Sequence, residues 1–133
     1  MFAGEVDLNT WYKPKIDKKT LKELSKRSDS KGLIDISVFI VALILSGYLC
    51  VVTWGTLWSI PALLFYGNIF YCKIISIQHE TNHETYFKTR VLNKFFYHVT
   101  SLLGGFEAVR WKWSHFHHHT YTIFTHEEVY DYE

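Results

Sequence analysis

The chain has 133 residues, the size of one ordinary domain, with 48% hydrophobic residues and a formal net charge of +1. That balance conceals segregation: residues 13–31 carry eight Lys/Arg, whereas none of the 37 residues from Ile36 to Cys72 is charged. At about 20 residues per bilayer crossing the run is nearly long enough for two, which excludes an ordinary soluble domain, and no nucleic-acid partner is expected.

Taken in chain order, the first 13 residues, MFAGEVDLNTWYK, hold acidic residues and no apolar run, unlike a cleaved signal. Residues 15–29, KIDKKTLKELSKRSD, read as a short polar helix with Asp17 as N-cap, either solvated or resting on anionic headgroups. Residues 36–54 form a first transmembrane helix, and its Ser46-Gly47 step is small enough to let another helix approach. WGTLWS (54–59) is the break, with Trp54 and Trp58 where an aromatic belt lies. Pro61 then falls in the first turn of a second helix, where its missing N–H is harmless. That helix runs to about Gln78, roughly 28 Å at 1.5 Å per residue, and puts His79 at the far membrane surface. Cys50 and Cys72 read as small buried hydrophobes rather than a disulfide. Lys73 can snorkel to the surface, and Asn68 is expected to face another helix.

Lys and Arg set the orientation. Eight precede the first span, the 55–59 turn has none, and six lie from Lys73 onward. Both termini and all the histidines are therefore expected on the cytoplasmic side. Farther along, Val91, Leu92, Phe95, Phe96, Val99, Leu102 and Leu103 fall within about 140° of a helical wheel. Asn93, Lys94, Thr100 and Ser101 take the other side. This fits a helix in the membrane interface, or equally one packed on a cytosolic core, ended by Gly104-Gly105. The expected fold is an all-α membrane protein. Residues 1–32 form a basic cytoplasmic segment, 33–78 a two-helix transmembrane hairpin, and 79–133 cytoplasmic or interfacial helices carrying histidines.

Those histidines form two clusters. In QHETNHETYFKTR, His79 and His83 are at i and i+4, about 40° apart, so both imidazoles can reach one metal. HETNH also satisfies H-E-x-x-H, the zinc-protease signature, with Glu80 as the would-be base. In WKWSHFHHHTYT (111–122), His115, His118 and His119 share an arc of about 100° if helical, and His117 projects from the opposite side. His98 and His126 read as exposed or hydrogen-bonded histidines. Five convergent imidazoles exceed the three or four protein ligands of one zinc, and the surplus points to two metals sharing a site.

HETNH…WKWSHFHHHT resembles the first two histidine boxes, HxxxH and HxxHH, of the integral-membrane fatty acid desaturases and their hydroxylase relatives. WYKPKIDKKTLKELSKRSD, HETNHETYFKTRVLN and WKWSHFHHHTYT all look like bacterial-type desaturases, so the likeness covers residues 11–133. It implies that His79, His83, His115, His118 and His119 ligate two non-haem irons that activate O2 to desaturate an acyl chain. It further implies a membrane-lipid or acyl-thioester substrate, a ferredoxin or cytochrome b5-type electron donor, and a bacterial inner membrane. A hydroxylase and a membrane zinc metalloprotease using 79–83 are the alternatives. Ligand imidazoles need their second nitrogen oriented, and Glu80, Asn82, Trp111 and Asp131, with Glu84 and Glu107, are candidates for that task. The family carries a third histidine box after two more spans. The chain is accordingly expected to be an N-terminal portion, inactive alone.

Overall fold

The structure is a computed structural model in which residues 15–121 are described. Five helices follow one another: α1 (Lys18–Leu24), α2 (Asp29–Val52), α3 (Ser59–Asn82), α4 (Arg90–Gly104) and α5 (Ala108–Tyr121). Among the described residues there is no strand.

The polar helix expected over 15–29 is divided. Asp17 caps α1 by accepting from the Thr20 amide at 3.0 Å, and α1 ends at Leu24. Ser28 then starts a new helix by accepting from the Lys31 amide at 3.4 Å. Two serines three residues apart each favour a helix end over a helix interior, which is why one polar run becomes two elements. Because α2 begins at this cap, it includes Asp29, Lys31 and Asp35 ahead of the charge-free run. Similarly α3 continues to Asn82, four residues past the expected end.

At 24 residues each, α2 and α3 are about 36 Å long, more than the ~30 Å hydrocarbon core. Only 22% and 17% of their most apolar windows are buried. Core helices of a soluble protein would be mostly covered, so these two present apolar faces to lipid, and the chain is an all-α membrane protein. They meet through small contacts: Ser46 is buried, and a Cβ on Gly47 would touch the Tyr66 ring at 3.5 Å. Gly55, at φ +79°, turns the connection, and Trp54 and Trp58 stand exposed beside it. Both cysteines are free; Cys50 is buried, but Cys72 is exposed on the outer surface of α3 rather than buried as expected. Lys73 pairs with Asp35 of α2 at 2.6 Å, a partner within the hairpin that keeps its ammonium from standing alone in lipid.

The compact core lies at the histidine end, where Ile36 and Phe39 of α2, Ile74 and Ile77 of α3, and Phe87 of the α3–α4 loop pack together. α4 makes its most extensive contact with α3. Leu92 and Phe96 pack against the core, but the rest of its apolar arc is divided from the protein by polar residues that turn inward. Asn93, Tyr97, Thr100 and Ser101 face the protein, whereas Val91, Phe95, Leu102 and Leu103 face out, Leu102 at 80% exposure.

Candidate metal centre

Each pair of converging histidines is set by one helix end. α3 stops at His83 because Glu84 takes a left-handed backbone (φ 55°). The Thr85 amide reaches the Glu80 carbonyl (3.1 Å) and the Glu84 amide reaches that of Thr81 (3.1 Å). This is the paired-hydrogen-bond helix stop usually built on glycine, and a glutamate there stores roughly 1 kcal/mol or more of backbone strain. The Glu84 carboxylate pairs with Arg90 Nε at 2.8 Å. α5 begins where the Glu107 carboxylate accepts from the amides of Val109 and Arg110.

The loop after His83 is clamped from two sides. Asn93 accepts from the Phe87 amide (3.0 Å) and donates to its carbonyl (2.9 Å). Asp29 accepts from the Thr89 amide (2.8 Å) and hydroxyl (2.7 Å). Tyr86 donates to Asp35, and burial together with that carboxylate raises its phenol well above the ordinary value, so it remains a donor. Gly32 leaves room for the Phe87 ring. Asn93 and Gly32 were not singled out by sequence; a polar residue on one side of a wheel carries no sign of which backbone it will reach.

His79 and His83 from α3 and His115 and His119 from α5 converge, with one ligand nitrogen from each and all four within 4.8 Å of one another. His83 Nε2 lies 3.1 Å from His79 Nε2, 3.1 Å from His115 Nε2 and 3.2 Å from His119 Nε2. His115 and His119 are 3.1 Å apart at the same atoms. A neutral imidazole nitrogen is either a donor or an acceptor, never both. His83, His115 and His119 form a closed triangle of contacts, and an odd ring cannot alternate donor and acceptor. At least one edge must therefore bring two lone pairs, or two N–H groups, face to face. A cation among the four nitrogens removes the conflict by accepting every lone pair, so the donor set fits a metal ion.

Protonation is opposed by the same arrangement. Burial, then the neighbouring imidazoles His79, His115 and His119, lower the His83 pKa below its ordinary value. Neutral imidazole is the form that ligates.

α5 is unusual in what anchors it. His115 is its one buried residue, at 3% exposure, so an imidazole occupies the place where a helix normally seats an aliphatic side chain. Trp111 stacks on that ring (centroids 4.5 Å, 12°) and meets His79 edge-on at 6.2 Å.

The remaining sequence candidates are distributed around this group. His118 stacks beside His115 at 5.8 Å and is not among the four convergent residues; at i+3 it is rotated about 60° from His115, whereas His119 stays on the same face. His117 lies against Tyr121, at 4.6 Å. Glu80 accepts from the Thr85 hydroxyl at 2.8 Å. Asn82 Oδ1 is buried with no hydrogen-bond partner among the described residues, as are both amide atoms of Gln78, next to His79. Asp131 and His126 lie outside the described residues.

A family model described as fatty acid desaturase matches residues 58–133, which include both histidine clusters. No significant match to a curated protein or to a solved structure was found.

Proposed function

The chain belongs to the fatty acid desaturase family, and from that premise we propose that it serves O2-dependent insertion of a double bond into an acyl chain at a non-haem di-iron centre. The observation that carries this reading is the closed set of imidazole nitrogens on α3 and α5, whose contacts cannot all be hydrogen bonds.

His79, His83, His115 and His119 would hold metal through the convergent nitrogens, and His118, beside them, is the fifth ligand of the proposal. When bound, iron supplies the redox capacity to activate O2 and oxidise an unactivated C–H bond. The protein's part is positional. Trp111 restrains the His115 ring by stacking, and the stop at Glu84 fixes where the His83 ring leaves α3. The lowered His83 pKa keeps that nitrogen available at neutral pH. All-imidazole ligation leaves the site cationic, which suits an oxidising metal. The same proposal includes a membrane-lipid or acyl-thioester substrate, a ferredoxin or cytochrome b5-type donor, and a cytoplasmic position for the histidines. Glu80, engaged with Thr85, gives no support to a protease role.

Metal analysis of the complete gene product tests the reading, followed by acyl-chain analysis under O2 and under nitrogen. About two irons per chain and O2-dependent unsaturation are expected. One zinc without iron overturns the proposal, and a hydroxylated product would reassign the reaction.

A further inference from the structure

We propose that α4 is inserted obliquely into the leaflet on the histidine side, its outward face in contact with acyl chains, so that the α4–α5 turn lies below the headgroups. The inference is independent of metal or activity.

Depth follows from one close contact. A Cβ placed on Gly104 would come within 3.3 Å of Ile74 Cγ2, so the end of α4 lies against α3 at Ile74. Ile74 is about 22 Å along α3 from Ser59, counting 1.5 Å per residue. If Ser59 marks one boundary of a ~30 Å hydrocarbon core, Gly104 sits about 8 Å inside the other. That is the depth at which interfacial helices bury their apolar faces, about 5–10 Å. The start of α4 is level with the opposite end of the hairpin, because Thr89 is bonded to Asp29 at the first residue of α2. α4 therefore descends from headgroup level toward mid-leaflet alongside α3.

Its chemistry is graded in the same direction. Arg90 and Lys94 lie in its first five positions, and residues 95–106 contain no Asp, Glu, Lys or Arg. Cations at the headgroup end suit an anionic surface, and the exposed Leu102 and Leu103 are at the deep end. Backbone at this depth must be satisfied internally, and the close of α4 returns amides and a hydroxyl to its own carbonyls. Gly105, in the left-handed region, lets its amide reach the Leu102 carbonyl at 3.2 Å, and the Phe106 amide reaches that of Ser101 at 2.8 Å. The Thr100 hydroxyl returns to the Phe96 carbonyl at 2.7 Å, and the Tyr97 hydroxyl donates to the Ala108 carbonyl. Exposed Val91, Phe95, Leu102 and Leu103 on a helix that ends at this depth beside Ile74 are why lipid is the occupant assigned.

The test places a nitroxide at Lys94→Cys, Phe95→Cys or Leu102→Cys in a Cys50→Ala, Cys72→Ala background. The whole chain is reconstituted in phosphatidylcholine–phosphatidylglycerol vesicles, with helicity checked for each variant. Collision with O2, which partitions into lipid, is compared with collision with a water-soluble nickel chelate. The O2-to-nickel ratio is expected to rise from Lys94 through Phe95 to Leu102. High nickel access at Leu102 would put α4 in water and overturn the proposal. Low access to both reagents would show that face covered by protein, a second copy included, and would overturn it equally. Where Leu102→Cys lowers helicity, Leu103→Cys supplies the same measurement.

Discussion

Gly32→Ala should destabilise the histidine end of the molecule, although the same change on an exposed helix would stabilise it. Alanine is favoured over glycine in a helix interior by about 1 kcal/mol. At Gly32, however, the added methyl would stand 2.6 Å from Phe87 Cε1, 2.8 Å from Cδ1 and 3.2 Å from the Tyr86 carbonyl oxygen. Phe87 cannot give way cheaply. It is wholly buried, stacked on Phe96 at 5.1 Å, and its own amide and carbonyl are bonded to Asn93. Overpacking of this kind costs about 1–3 kcal/mol, and loosening the two Asn93 bonds adds about 1 kcal/mol each. The net expectation, after the helix-propensity gain is subtracted, is a loss of about 2–4 kcal/mol. It is read from sodium dodecyl sulfate titration in mixed micelles, followed by circular dichroism. Adding Phe87→Leu should recover part of the loss, because the smaller side chain vacates the contact, and the two sites should couple in a double-mutant cycle. A Gly32→Ala protein as stable as the parent, or more stable, would refute the packing assigned to this loop.

Asn93→Ala should cost about 2–4 kcal/mol in the same titration, since it strands a buried amide and a buried carbonyl of Phe87; an effect below about 1 kcal/mol would remove Asn93 as the loop clamp. Metal removal should raise amide exchange across α5, whose one buried residue is His115, and leave α3 protected; unchanged exchange in α5 would mean that something other than metal docks it. For the metal-free protein, the lowered His83 pKa means that the unfolded chain takes up this proton first as pH falls. The His83 contribution should be complete above the ordinary imidazole pKa of about 6.5 and decline as pH drops toward the lowered folded value, and His83→Gln should flatten that slope.

Much of this architecture was legible in the residues. The charge-free run marked the hairpin, Asp17 marked a helix start, and i,i+4 spacing paired His79 with His83 and His115 with His119. What escaped has physical reasons. Periodicity locates the apolar arc of α4 but does not say whether protein or lipid receives it; the structure turns Asn93 and Ser101 inward and Leu102 outward. The loop clamp from Asp29 and Gly32 joins positions about sixty residues apart, and no local pattern announces such a contact.

The most direct test of the metal centre is iron K-edge X-ray absorption on the iron-loaded protein in lipid. Imidazole nitrogen scattering is expected to dominate the nearest shell, to weaken in His83→Ala and His115→Ala, and to persist in His98→Ala. A spectrum of oxygen neighbours alone, unchanged by His115→Ala, would contradict the assignment of His79, His83, His115 and His119 as one metal centre.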